Sequence, residues 1–114
     1  MDAQEREIRL FVRANGGCPF EDSLRLLRDK RAKGRIYSRI DRLRLGNFGD
    51  SRAVGEGVYE LRIHHGPGLR VYFAPIGPAQ VVLLCAGTKR TQEADIARAR
   101  AYLRELKRHA DKEL

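Results

Sequence analysis

The chain has 114 residues, enough for one compact domain spanning 1–114 and too few for two. Its hydrophobic fraction of 42% supports a modest core, but no run approaches the roughly 18 apolar residues of a membrane span, so no membrane partner is expected. The net charge is +8, and 18 of the 23 basic residues are arginine, a balance that draws a domain toward nucleic acid by sequence-independent electrostatics.

The opening Met1-Asp2-Ala3-Gln4-Glu5-Arg6-Glu7 does not read as a signal peptide, and a cytoplasmic location is expected. Ile8 to Val12 reads as a short first strand, and Asn15-Gly16-Gly17-Cys18-Pro19 as a turn. Pro19 suits the first turn of a helix, and Glu21 and Asp22 complement its N-terminal dipole. Lys33-Gly34 either interrupts the helical pattern or is tolerated within it. A second helix runs to about Leu45, with Ile36, Ile40 and Leu43 at the spacing of a buried face. If that helix is continuous, Arg28, Arg31, Arg35, Arg39 and Arg42 form a basic stripe beside the buried face. Residues 23–53 hold ten basic against three acidic side chains, so the charge is concentrated on this region. Gly46-Asn47 supplies the C-cap.

Residues 47–57 are turn-rich, with a short strand near Arg52-Ala53-Val54. Two alternating strands follow, joined by a tight Gly66-Pro67-Gly68 turn. Tyr59, Leu61 and Ile63 share one face of the first, and Leu69, Val71 and Phe73 one face of the second. Period-two alternation then places Glu60, Arg62, His64, Arg70 and Tyr72 together on the opposite face. Gln80 to Ala86 is apolar on both sides, as in a central strand. Thr91 caps a last helix whose narrow apolar stripe is Ile96, Ala99, Leu103 and Leu106. The expected architecture is α+β, with helices over one face of a small twisted sheet and the other face partly open.

Cys18 and Cys85 are the only cysteines. Without CxxC or Cys/His spacing they point to no metal site, and no cofactor is expected. The polar face carries the chemistry instead. Arginine presents a planar fork that matches phosphate, which singles out Arg62 and Arg70. Histidine, with an ordinary pKa near 6.5, is the natural proton-transfer group, which singles out His64; His65 points the other way and is read as structural. Tyr72 either stacks a base, bonds a phosphate or packs at the sheet edge.

Five blocks in order are similar to a known family: Arg39 to Leu43, Gly46 to Asp50, Val54 to Ile63, Gly66 to Phe73, and Gly87 to Ile96. From about Phe20 to Ala99 the chain resembles the RelE/ParE toxin superfamily, in the HigB-like addiction module killer branch related to phage Gp49-like proteins. The resemblance implies a RelE-like small twisted, mainly antiparallel sheet with two N-terminal helices and a C-terminal helix. It implies the toxin of a type II toxin–antitoxin module, a metal-independent endoribonuclease cutting messenger RNA on the ribosome. It also implies a helix-turn-helix antitoxin as partner, in a toxin–antitoxin hetero-oligomer. Lys89 stands where such toxins place a basic catalytic residue, with Arg90 beside it. Arg35, Arg39, Arg42 and Arg90 are the expected RNA-binding residues; the arginine stripe equally suits an acidic antitoxin segment.

Three departures from the family pattern bear on mechanism. Leu69 replaces an aromatic before Arg70, the first helix has Ser23-Leu24 in place of Trp-Leu, and Tyr59-Glu60 replaces lysines. The proton-transfer role therefore falls to Glu60 or His64. The alternative is a ParE-like toxin that inhibits a protein target such as DNA gyrase without catalysis.

Overall fold

The computed structural model describes residues 5–112. Its elements are β1 (Glu7–Leu10), α1 (Pro19–Leu26), α2 (Lys30–Arg44), β2 (Ser51–Gly55), β3 (Val58–Ile63), β4 (Leu69–Ile76), β5 (Gln80–Thr88), a 3-10 turn (Lys89–Thr91) and α3 (Gln92–Lys112). The strands form one sheet in the order β1-β5-β4-β3-β2. β1 runs parallel to β5, and every other pair is antiparallel. This is the expected α+β arrangement of a mainly antiparallel sheet, two N-terminal helices and a C-terminal one. No helix among the described residues is long and apolar enough to cross a membrane.

α1 begins on Pro19, with Glu21 and Asp22 in its first turn. The helical pattern breaks at residues 27–29, where the Asp29 carboxylate caps α2 by accepting from the Arg31 N–H at 2.8 Å. Gly34 is carried inside α2. Arg28 therefore lies off the helix, and the basic stripe begins at Arg31. α2 closes on Gly46, at φ +84°. The Gly46 N–H donates to Leu43 O and the Asn47 N–H to Arg42 O, the paired bonds of a Schellman end.

Both sheet faces are apolar, and this corrects the expectation of helices on one face only. Leu61, Ile63, Leu69, Val71, Phe73 and Leu83 lie under α1 and α2, against Phe20, Ile36, Ile40 and Leu43. Val58, Tyr72, Ala74, Val82 and Leu84 lie on the other side against Ala99 and Leu103 of α3. The reason lies in β5, where Val81 to Ala86 are all buried: a strand apolar on both sides needs cover on both. A register shift pairs Tyr72 with Cys85 but Phe73 with Leu83. The extra residue, Leu84, lets Leu84 and Cys85 both face α3. Burial pushes the Cys85 thiol up to about 12, so it acts as a small packing residue.

Candidate functional site

β3 and β4 place Arg62 and Arg70 directly opposite each other, and Glu60 directly opposite Tyr72. Like charges in facing register destabilise a strand pair. Two carboxylates offset the repulsion, one on each side. Asp50 takes Arg62, whose Nη2 donates to Oδ1 at 2.8 Å. Glu60 lies near Arg70, with Oε1 3.9 Å from Nε. The Nε atoms of both arginines are buried without a hydrogen-bond partner in the protein.

Glu60 is fully buried. Its Oε1 accepts from Arg52 Nε at 3.0 Å, and its Oε2 accepts from Tyr72 Oη at 3.1 Å and from Gln92 Nε2 at 2.8 Å. Burial alone would raise its pKa. The hydrogen bonds from Gln92, Arg52 and Tyr72 outweigh burial and hold it below the usual glutamate value. The group is thus a carboxylate at neutral pH with its oxygens already engaged. Tyr72 is also fully buried. Burial and the adjacent Glu60 charge push its hydroxyl well above the ordinary range. Both residues lie on the α3 side of the sheet, sharing one face as the alternation requires, and they form an internal anchor. Both side chains are closed to solvent, a geometry that suits neither base stacking by Tyr72 nor proton transfer by Glu60.

The exposed side is different. Asp50 bridges two residues, with His64 Nε2 3.2 Å from its second oxygen. The bond from Arg62, and then that to His64, outweigh partial burial and hold the Asp50 carboxyl below its ordinary value. His65 turns away, with Nε2 3.0 Å from Oδ2 of Asp29, and so ties the hairpin loop to the start of α2. Gly68 has φ +91°, and its carbonyl accepts from the Lys89 N–H at 3.1 Å. That bond fixes the end of β5 against the β3–β4 turn.

Between these parts lies an open cleft of about 480 Å3, lined by His64, His65, Gly66, Pro67, Gly68, Arg70 and Lys89. The fold thus brings His64, Arg70 and Lys89 to one depression, with Arg62 beside them through Asp50. Arg35, Arg39 and Arg42 border His64 from α2. Arg90 is exposed in the 3-10 turn and lines neither depression. A larger depression of about 510 Å3, between α1, the end of β5 and α3, contains none of the predicted site residues. Both of its arginines are already paired, Arg13 with Glu105 and Arg98 with Asp95.

Sequence reasoning missed Asp50, Arg52 and Gln92. Asp50 sits next to Gly49, where an added Cβ would stand 2.4 Å from Arg39 Nη2. A glycine-acid pair just ahead of a strand is the one local signal of such a bridge. Arg52 and Gln92 join Glu60 from β2 and from the first residue of α3, and no local spacing announces either.

Residues 24–112 match the profile of a family described as Phage derived protein Gp49-like (DUF891). The chain is also similar to an "Uncharacterized protein" of Haemophilus influenzae (strain ATCC 51907 / DSM 11121 / KW20 / Rd), 46% identical over 87 residues, covering 76% of this chain and 88% of that one.

Proposed function

The chain belongs to the phage-derived Gp49-like family, a toxin-like family of the RelE type, and we propose that it is a HigB-like toxin that cleaves messenger RNA on the ribosome. One observation carries this reading. Two arginines face each other in register, each with a buried Nε lacking a protein partner, beside a cleft that holds His64 and Lys89. A phosphodiester bound beside the pair would offset its like charges.

In the proposed reaction the 2′-hydroxyl of the RNA is the nucleophile. His64 takes its proton as the 2′-oxygen bonds to phosphorus and the bond to the 5′-oxygen breaks. Arg62 and Arg70 stabilise the extra charge on the phosphoryl oxygens. Lys89 offsets the charge that develops on the leaving 5′-oxygen, which takes up a proton from solvent as the P–O bond breaks. The products carry a 2′,3′-cyclic phosphate and a 5′-hydroxyl. Glu60 and Tyr72 hold Arg70 and the first turn of α3 in place. A small helix-turn-helix antitoxin is the partner that silences the chain in the cytoplasm.

The test is to induce the chain alone in cells and map messenger RNA 5′ ends, with Arg70→Ala in parallel. New ends within translated codons, lost in the variant, are the expected result. Growth arrest with intact messages would sink the nuclease reading and move the target to a protein such as gyrase.

A further inference from the structure

A second basic depression adjoins the cleft. It has a volume of about 270 Å3 and is walled by Arg35, Ser38, Arg39 and Arg42 of α2, and by Ile63 and His64. His64 lines both depressions, so a single imidazole separates them.

Several surface arginines are neutralised by an acid. Arg25, Arg44, Arg52 and Arg104 each sit on a carboxylate. Among the described residues Arg35 and Arg42 have no acidic partner. They are seven residues apart on α2, two turns and about 10 Å of helix, and so share a face. With Arg39 between them they form like-charge neighbours at the spacings that destabilise a helix. A bound polyanion reverses that cost. Arg39 is partly committed, since its Nη1 donates to Arg62 O at 3.4 Å. Asp50, the nearby acid, is already held by Arg62 and His64. The one apolar wall residue, Ile63, is buried, so the depression offers no hydrophobic anchor for a peptide. Paired guanidinium forks without an apolar floor suit a phosphate backbone better than an acidic protein segment.

We infer that Arg35 and Arg42 form a second phosphate subsite, which holds the backbone of a single-stranded RNA on the far side of His64 from the scissile phosphodiester. The subsite rests on reading the cleft as the place of cleavage. It gives the strand a direction, across the β3–β4 turn and onto α2.

The experiment measures anisotropy of a labelled RNA trinucleotide and dodecanucleotide, both 2′-deoxy at the scissile position, across a salt series. The proteins are wild type and Arg35→Gln/Arg42→Gln, with melting temperatures recorded for both. For single strands each phosphate contact contributes about 0.7 to the slope of log affinity against log salt, so losing one contact from each arginine should flatten the dodecanucleotide slope by about 1.4. Trinucleotide binding and the melting temperature should not change. An unchanged dodecanucleotide slope, or an equal loss for both oligonucleotides, overturns the subsite. So does a loss confined to binding of poly-glutamate, which would assign the surface to an acidic protein. Cleavage of an all-ribose dodecanucleotide on ribosomes is scored separately. A flattened slope without cleavage keeps the subsite and removes the nuclease reading; cleavage with an unchanged slope does the reverse.

Discussion

The facing arginines are held by two carboxylates in opposite surroundings. Glu60 is fully buried, and Arg70 beside it keeps only 11% of its side-chain surface exposed. Asp50 and Arg62 keep 36% and 39%, and His64 85%. The buried half joins β2, β3, β4 and α3 through Arg52, Glu60, Tyr72 and Gln92, so it fixes the scaffold. The exposed half joins only a loop, a strand and the end of a hairpin. Low local dielectric makes the first half expensive to break, whereas solvent screens the second. The scaffold is thus anchored on one side of the arginine pair, while the proposed proton-transfer group His64 sits on the other, and substitutions on the two sides should fail in different ways.

The largest effect is expected from Glu60→Ala. It leaves Arg70, Tyr72 and Gln92 facing an uncompensated gap, and breaking a buried ion pair from one side costs roughly 3–5 kcal/mol. Arg52, the closest cation, is half exposed, so about 2–4 kcal/mol of unfolding free energy should be lost in urea melts. A loss under about 0.5 kcal/mol, ordinary for a surface site, would refute the anchor. The pH dependence has a definite sign. The folded pKa of Glu60 is lowered from 4.5, so its contribution is present above that value and disappears as pH falls through the folded pKa. Wild type should therefore weaken steeply below about pH 4.5, and Glu60→Gln should weaken less over the same range.

Tyr72→Phe probes the same half more gently. It keeps the ring against α3 and removes only the hydroxyl that donates to Glu60. A hydrogen bond to a charged group is worth about 1.5–3 kcal/mol; Gln92 and Arg52 stay bonded to Glu60, so a loss near about 1.5 kcal/mol is expected. On the proposed reading message cleavage should survive, because the ring is buried against α3. If stability holds and cleavage collapses, Tyr72 acts on the RNA and the buried description is wrong.

The sequence conveyed the two halves unequally. Alternation in Val58–Ile63 and Leu69–Ile76 placed Glu60, Arg62, His64, Arg70 and Tyr72 on one face, because strand period is a local property. It could not say which of them α3 would cover, since that depends on a helix that begins some twenty residues beyond Tyr72. The extra residue at Leu84 is equally silent in a run that is apolar throughout. Helix ends were legible where a single residue governs them, as at Pro19 and Gly46. The break at residues 27–29 was missed because Gly34 offered a more obvious interruption, although Asp29 caps α2 all the same. Asp50 escaped because its partners, Arg62 and His64, lie twelve and fourteen residues further along and only the β2–β3 pairing brings them near.

Asp50→Asn is the smallest change and the sharpest test of the exposed half. The substitution keeps the shape of the side chain and removes the charge that both Arg62 and His64 contact. Because water screens this bridge, the neutral-pH melt should match wild type. On the proposed reading cleavage should still fall, since the imidazole at the cleft and the neighbouring Arg62 guanidinium lose the group that holds them. Replacing His64 itself by alanine removes the proton-transfer group, for which about 10²–10⁴-fold is typical; Asp50→Asn, which only loosens its aim, should cost less than that. Asp50→Glu, with the carboxylate restored on a longer stem, should recover part of the rate. A variant that cuts at full rate would make Asp50 a surface ion pair and no more. One that loses stability along with rate would show that the exposed half carries the scaffold too, and the division between the two carboxylates would not hold.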